Sequence, residues 1–187
     1  MLYPGAASKI GGASAIQFGA AIPIIRFAEV HDMASITEIY NDAVRSSEGT
    51  QDIECKLVSQ MLAWFHERGP EHPIIVGTWH GEVMGWASIS AFSRKCGYSQ
   101  TAETSLYVHQ KARGLGLGKK LKKQTMLVAR DLGFHSIISR VVSTNEPCNA
   151  LNISLGFELV GVFKEVGYKF GRYHNMNFYQ YIFNDKK

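Results

Sequence analysis

Residues 106–123, with the sequence LYVHQKARGLGLGKKLKK, join the end of a strand to a glycine-rich loop and the beginning of a helix. Gly114, Gly116 and Gly118 alternate along the loop, and glycine tolerates a positive φ and lets a ligand approach the main chain. The N–H groups at a helix N-terminus attract anions, and this stretch contains no acidic residue. The pattern therefore predicts a site for a polyanion such as a pyrophosphate. The surrounding cations are Lys111, Arg113, Lys119, Lys120, Lys122 and Lys123.

Three phosphate-binding motifs compete for this loop. A P-loop requires G-x-x-x-x-G-K-[ST], but only three residues separate Gly114 from Gly118, and Lys120 stands where Ser or Thr is needed. A dinucleotide fingerprint requires G-x-G-x-x-G and an acid about 20 residues later, whereas this loop reads G-x-G-x-G. The third motif, [QR]-x-x-G-x-[GA], fits the stretch from Arg113 to Gly118 at every fixed position. The alternative is a glycine-rich helix start with a solvated basic face.

The rest of the chain alternates short apolar runs with helical patterns. Strands are predicted at 24–30, 73–79, 83–91, 101–108, 136–143, 157–165 and 174–183. Helices are predicted at 33–46 with Asp32 as the N-cap, and at 57–65, 114–132 and 146–155. The order β-α-α-β-β-β-α-β-α-β-β indicates one α/β domain at 24–184. The Gly-, Ala- and Ser-rich residues 1–23 are interpreted as a flexible leader.

The composition excludes several classes of protein. The chain has 187 residues, 45% of them hydrophobic, and a net charge of +4, which is typical of one globular domain rather than a disordered chain. Cys55, Cys96 and Cys148 form no C-x-x-C pair, which excludes a disulfide scaffold or a zinc ribbon and favours a reducing, cytoplasmic location. The apolar stretch near the N-terminus is too interrupted for the roughly 18 consecutive apolar residues of a membrane helix.

The third motif is the coenzyme A pyrophosphate loop of the GNAT superfamily of acetyl-CoA-dependent N-acetyltransferases, and the chain resembles that superfamily. From about residue 25 to 183 it resembles one branch, the phosphinothricin and methionine sulfoximine N-acetyltransferases. The segments that carry the resemblance are YSQTAETSLYV at 98–108, NEP at 145–147, LGF at 155–157 and VGYKFGRYH at 166–174. The resemblance implies a mixed, mostly antiparallel twisted sheet flanked by about four helices, acetyl-CoA as cosubstrate without a metal, and a homodimer.

Glu103 is the candidate for the proton acceptor that acetylation of an amine requires. An α-amino group is mostly protonated at pH 7 and must lose a proton before it attacks a thioester, and a nearby carboxylate can accept that proton. The resemblance assigns this general-base role to Glu103, with a surface or hydrogen-bonded Glu as the alternative. Cofactor binding is assigned to Leu106, Tyr107, Val108, Arg113, Gly114, Leu115, Gly116, Leu117, Gly118, Lys119 and Asn145, of which Asn145 is equally suited to cap a helix. Asn152 stands where many members carry a Tyr that serves as general acid.

The sequence gives fewer signals for the residues that bind the acceptor amine. Amino-acid analogues carry a carboxylate, so a basic clamp is expected. The resemblance places Lys95, Tyr98, Tyr168, Lys169, Arg172 and His174 in the substrate pocket, while solvated surface charges are the alternative for Lys95, its neighbour Arg94, Lys169 and Arg172. The segment 47–51 and Gln100 lack aromatic residues that the branch usually carries there. A protein N-terminal or lysine acetyltransferase, and a non-catalytic acetyl-CoA-binding protein, remain alternatives, whereas nucleic-acid binding is not expected because the basic run lacks aromatic residues.

Overall fold

The computed structural model describes residues 22–183, so almost all of the leader predicted at 1–23 lies outside the described residues. Seven strands and four α-helices occur within that range, in the order that the sequence predicts. The strands are β1 Ile24–Phe27, β2 Ile74–Trp79, β3 Glu82–Ala91, β4 Thr101–Val108, β5 Ser136–Val142, β6 Glu158–Lys169 and β7 Arg172–Ile182. The helices are α1 Met33–Ser46, α2 Val58–His66, α3 Leu117–Asp131 and α4 Glu146–Ser154. None of the helices within 22–183 has the length and apolar character needed to cross a membrane.

All seven strands form one sheet in the order β1-β2-β3-β4-β5-β7-β6. The pairing is antiparallel everywhere except between β4 and β5, which confirms the expected mixed, mostly antiparallel sheet. The parallel ladder is short and joins Thr101 to Ser136, Ala102 to Ile137 and Glu103 to Ile138. Beyond Glu103 and Ile138 both strands continue, β4 along β3 and β5 along β7. The sheet therefore opens between β4 and β5 near its centre.

The helices cover both faces of the sheet because each has an apolar stripe at helical spacing. Met33, Ile36 and Ile39 of α1 and Met61 of α2 pack on one face against Ile74, Val76 and Trp86. Leu117 and Leu121 of α3 pack on the other face against Ile75 and Ala87. Gly77 allows α3 to approach the sheet closely, since a Cβ there would lie 2.6 Å from Leu117 Cδ1. This packing fixes the N-terminus of α3 beside the opening in the sheet.

Three predicted element boundaries near functional segments are wrong. Helix α3 begins at Leu117 rather than Gly114, because Gly114 and Gly116 have φ of 76° and 82°, outside the helical region. Strands β6 and β7 run up to a tight turn at Phe170 and Gly171, so the segment 166–173 is part of a hairpin. The sequence did not predict these strand ends because the turn contains neither Pro nor an Asn-Gly pair.

The beginning of the chain also differs from the prediction. Strand β1 ends at Phe27, and a 3-10 turn at Val30–Asp32 precedes α1. Asp32 makes no side-chain cap on α1. Its carboxylate instead forms an ion pair with Arg26, with Nη1 2.6 Å from Oδ2, and accepts the Glu29 N–H at 2.8 Å. A buried carboxylate beside a guanidinium is more strongly satisfied by that cation than by a backbone N–H.

Candidate active site

The opening between β4 and β5 is a cleft that four elements line. They are the second half of β4, the second half of β5, the first two turns of α4 and the middle of α3. The predicted site residues Glu103, Leu106, Tyr107 and Asn145 all line it, as does Asn152. Its full lining is Gly49, Glu103, Thr104, Ser105, Leu106, Tyr107, Lys122, Ser139, Arg140, Val141, Val142, Asn145, Cys148, Leu151 and Asn152. The sequence therefore predicted residues that the fold brings together in space.

The glycine loop lies next to this cleft at the beginning of α3. Gly114 and Gly116 adopt left-handed conformations, and a Cβ at either position would meet no atom within 4 Å, so the loop backbone is open on that side. Leu117 is fully buried and anchors the loop, while Leu115 and Lys119 are exposed. The Nε of Arg113 donates to the Val108 carbonyl at 3.2 Å. Exposed N–H groups at the start of a helix, with cations around them, fit a pyrophosphate.

The unpaired part of β4 suits an extended ligand. The residues from Leu106 to Val108 pair with β3 on one edge, and their other edge faces the opening. Main-chain polar groups there require hydrogen-bond partners, which an amide-containing arm such as that of coenzyme A can provide. Asn145 begins α4, and its Oδ1 accepts the Cys148 N–H at 3.3 Å, so the helix-capping alternative holds for a residue that also lines the cleft.

Glu103 occupies the end of the parallel ladder with a partner that the sequence did not reveal. Arg140 donates to Glu103 Oε1 from Nε at 2.6 Å and from Nη2 at 2.6 Å. The Glu103 side chain is only 18% exposed, against 51% for Arg140. Two charge-assisted hydrogen bonds to one oxygen orient the Glu103 carboxylate at the lining of the cleft. The signal for Arg140 is a single charge within the apolar run SIISRVV of a buried strand.

Successive side chains of β4 point to opposite faces of the sheet. Tyr107 packs on the α1 side, where its ring stacks on Trp86 at 4.7 Å and meets Tyr40 edge-on at 5.2 Å. Leu106 and Val108 pack on the α3 side. Burial raises the pKa of Tyr107 to about 12, so its hydroxyl remains protonated at neutral pH. Glu103 therefore shares the face of the sheet with the aromatic wall formed by Tyr40, Trp86 and Tyr107.

Lys122 is not part of a solvated basic face, which corrects the polyanion cluster predicted from the sequence. It is 3% exposed, and its Nζ donates to Thr104 Oγ1 at 2.7 Å and to Ser139 Oγ at 3.1 Å. The ammonium also lies 4.7 Å from the centre of the Phe157 ring. Burial lowers the pKa of Lys122 to about 7, against the opposing effects of Cys148 and Glu103. The other lysines of the cluster, Lys111, Lys119, Lys120 and Lys123, are exposed.

The basic residues of the β6–β7 hairpin bind the connection between α1 and α2. Lys169 is buried, and its Nζ donates to the carbonyls of Ser47 and Thr50 at 2.9 Å each. Arg172 pairs with Glu48, and the buried ring of His174 lies with Nδ1 3.6 Å from the same carboxylate. Hydrogen bonds from Thr144 and Arg172 lower the pKa of Glu48, and burial lowers that of Lys169. These side chains stabilise a wall beside the cleft, so neither Lys169 nor Arg172 is a free cation for a carboxylate.

The other predicted substrate residues lie apart from this cluster. Tyr168 is exposed and packs against Tyr173 with ring centres 5.0 Å apart. Lys95 and Tyr98 belong to the connection between β3 and β4, where Tyr98 meets Phe92 edge-on at 5.7 Å. Among the described residues, neither Lys95 nor Tyr98 lines the cleft. Contact of these residues with a substrate remains a prediction.

Asn152 occupies the position at which the resemblance expects an acid. It is buried, and its Nδ2 donates to the Cys148 carbonyl at 3.2 Å. Its Oδ1 has no hydrogen-bond partner among the described residues. An amide cannot supply a proton at neutral pH, so a different group must do so if the reaction uses an acid. Within residues 22–183, no three His, Cys, Asp or Glu side chains are grouped so that they could hold a metal ion.

Comparisons with known proteins agree with this fold. Residues 25–178 match the model of the acetyltransferase (GNAT) domain family. An L-methionine sulfoximine/L-methionine sulfone acetyltransferase of Salmonella typhimurium is 36% identical over 157 residues, which is 83% of this chain and 92% of the relative. A phosphinothricin acetyltransferase of Sinorhizobium meliloti, solved with acetyl-CoA, has a TM-score of 0.82 at 32% identity and covers 86% of this chain and 88% of its own. A ribosomal-protein-alanine N-acetyltransferase of Brucella melitensis has a TM-score of 0.83 at 33% identity and covers 86% and 99%.

The fold, the opened sheet and the glycine loop define an acyl-group transferase. The chain belongs to the GNAT family of acetyltransferases.

Proposed function

We propose that this chain transfers the acetyl group of acetyl-CoA to the primary amine of a small amino-acid-like substrate, by direct attack in a ternary complex. The single observation that carries the proposal is the cleft between β4 and β5, because it brings Glu103 and the open edge of β4 into one space whose lining residue Leu106 also lies against Gly118 at the start of α3. The pyrophosphate binds at residues 113–119, and the thioester end binds along Leu106, Tyr107 and Val108. The named activities of the relatives, acetylation of methionine sulfoximine and of phosphinothricin, support this class of substrate.

Glu103 acts as the general base in this proposal. The substrate ammonium gives a proton to Glu103, directly or through water, and the neutral amine attacks the thioester carbonyl. Arg140 orients the carboxylate through its two hydrogen bonds at 2.6 Å. Backbone N–H groups on the open edge of β4 polarise the carbonyl oxygen. The aromatic wall formed by Tyr40, Trp86 and Tyr107 excludes water on the face where the amine enters.

A protein N-terminal acetyltransferase is the second candidate, and the likeness to the ribosomal-protein-alanine N-acetyltransferase favours it specifically. Both functions use the same cofactor half of the cleft and differ in the acceptor. Steady-state turnover across methionine sulfoximine, phosphinothricin, free L-amino acids and N-terminal peptides distinguishes them. Turnover of peptides with none of amino-acid analogues would overturn the first candidate in favour of the second.

The exchange of Glu103 for Gln tests the base directly. Glu103→Gln keeps size and most hydrogen bonds, so acetyl-CoA affinity measured by calorimetry should scarcely change. At neutral pH kcat/KM should fall by about 10²–10⁴-fold, and part of the loss should return at high pH, where the amine arrives deprotonated. Glu82→Gln is the matched control, because Glu82 is exposed at the beginning of β3 and does not line the cleft. A kcat/KM for Glu103→Gln that equals the wild-type value at pH 7 would refute the general-base role of Glu103.

We also propose that the domain at 24–184 forms a homodimer in the cytoplasm. Strand β6 is the edge of the sheet and exposes a row of apolar side chains, and such faces mark protein–protein contacts. The row comprises Leu159, Val160, Val162, Phe163, Val166 and Tyr168. Cys55, Cys96 and Cys148 are all free, which fits a reducing compartment. Sedimentation velocity should show a dimer that Val160→Glu converts to monomer, and a wild-type monomer at micromolar concentration would refute the dimer.

A further inference from the structure

Lys122 joins the two strands at the point where the sheet opens. The last paired residues of the parallel ladder are Glu103 on β4 and Ile138 on β5. Thr104 and Ser139, the next residues on each strand, accept hydrogen bonds from Lys122 Nζ at 2.7 and 3.1 Å. The ammonium therefore lies at the closed end of the cleft, where the reactive end of an acyl donor that enters along β4 and β5 would stop.

Lys122 and Glu103 serve opposite faces of this opening. Glu103 and Thr104 are neighbours on β4, and so are Ser139 and Arg140 on β5. The two side chains of each pair therefore point to opposite faces of the sheet. Glu103 and Arg140 bind each other on the α1 side, while Thr104 and Ser139 bind Lys122 on the α3 side. An amine activated by Glu103 thus attacks from one face, and a leaving group that points to the other face meets the ammonium.

Among Lys122 and the titratable groups that act on it, Lys122 is the one whose pKa is lowered to about 7. Cys148 approaches from α4, and burial raises the pKa of its thiol. Glu103, whose side chain points to the other face of β4, acts on Lys122 through its negative charge and favours the ammonium. Burial lowers the pKa of Lys122 itself to about 7, so its ammonium is a far stronger acid than an ordinary lysine.

One N–H of the Lys122 ammonium remains available for proton transfer. A lysine ammonium has three N–H donors, and the two hydroxyls use two of them. The free coenzyme A thiol has a pKa near 8.5 by analogy with cysteine, so proton transfer from Lys122 to a departing thiolate is downhill. Asn152, in the same cleft, cannot make that transfer.

We propose that Lys122 is the general acid that protonates the coenzyme A thiolate as it leaves, an inference that rests on the proposed function. In this step the C–S bond breaks, its electron pair remains on sulfur, and a proton moves from Lys122 Nζ to that sulfur. The C–N bond to the amine has already formed. The substrate ammonium loses two protons: one passes through Glu103 to water, and the other restores the ammonium of Lys122. The net reaction releases one proton to solvent.

Lys122→Met tests this step, with Thr125→Val as the matched control. Thr125 is buried on the same helix one turn further, where its Oγ1 donates to the Leu121 carbonyl outside the cleft lining. Wild-type kcat should show a bell-shaped pH profile whose alkaline limb reports the loss of the Lys122 proton. In Lys122→Met, kcat should fall by about 10²-fold, with KM for acetyl-CoA nearly unchanged and the alkaline limb absent. Thr125→Val should keep the wild-type profile.

Two further measurements separate the outcomes. Lys122→Arg retains a charge but holds its proton too tightly to donate it, so a return of kcat in that variant would overturn proton donation in favour of charge alone. Observation of the lysine Nζ by NMR in the wild-type protein should show Lys122 titrating near pH 7, and an ammonium that persists to pH 9 would overturn the proposal without any activity assay. An active wild type with an unaffected Lys122→Met refutes the role of Lys122 alone, whereas a wild type inactive on every amine refutes the proposed function.

Discussion

Replacing Lys122 by Met should change the pH dependence of stability by an amount that follows from its burial. Burial lowers the pKa of this lysine from 10.5 to about 7. Between those values the unfolded chain binds a proton that the folded chain does not, so the free energy of unfolding of the wild type rises with pH. Each pKa unit corresponds to about 1.4 kcal/mol, so the burial of the charged form costs about 5 kcal/mol below pH 7.

Lys122→Met removes this titration and also the two hydrogen bonds to Thr104 and Ser139, a loss of about 1 kcal/mol each that does not vary with pH. The advantage of the variant over the wild type should therefore shrink by about 3 kcal/mol between pH 6 and pH 9. Urea unfolding at pH 6, 7.5 and 9, followed by tryptophan fluorescence, measures this change in the stability difference. Lys123→Met, an exposed neighbour on α3, should show no such trend. A stability difference between Lys122→Met and the wild type that is constant from pH 6 to 9 would refute a lowered pKa for Lys122 in the folded protein.

Three other perturbations follow from the site. Arg140→Gln should lower kcat/KM by about 10-fold because Glu103 loses two charge-assisted hydrogen bonds, while acetyl-CoA affinity by calorimetry stays constant. Gly116→Val should abolish acetyl-CoA binding in a folded protein, since φ is 82° there and a β-branched residue cannot adopt it; unchanged affinity would contradict the pyrophosphate loop. Lys169→Met should lower the free energy of unfolding by about 2 kcal/mol and speed hydrogen exchange at 47–51, because two half-buried carbonyls lose their donor; unaltered exchange would show that the lysine does not hold this connection.

The order of elements was predictable because it depends on hydrophobic periodicity, which the sequence displays directly. Met33, Ile36 and Ile39 recur at helical spacing and do bury one face of α1. The glycine loop was predictable for a similar local reason, since the alternation of glycines requires a special backbone whatever surrounds it. Boundaries were less predictable, because the length of β6 and β7 is decided by their pairing with each other, which sequence periodicity does not report.

The partners of the site residues depended on the fold and were missed. Arg140 lies 37 residues from Glu103 in the chain, and only the parallel pairing of β4 with β5 brings the two together. The hairpin cations were assigned to a substrate because their charge is visible in the sequence, whereas their partners are main-chain carbonyls more than 100 residues earlier. Long-range contacts with backbone atoms leave no residue signature.

Lys122 differs from these cases, because the sequence did contain its signal. The run KKLKK at 119–123 invites a single interpretation for all its lysines, yet a helix places them on different faces. Lys122 follows Leu121 directly and precedes Thr125 and Ala129 by one and two turns, all of which are buried. It therefore lies within the apolar stripe of α3, where an ammonium must be either neutralised or held by hydrogen bonds. Helical phase thus separates this lysine, which lies at the centre of the opened sheet, from the exposed lysines that surround the glycine loop.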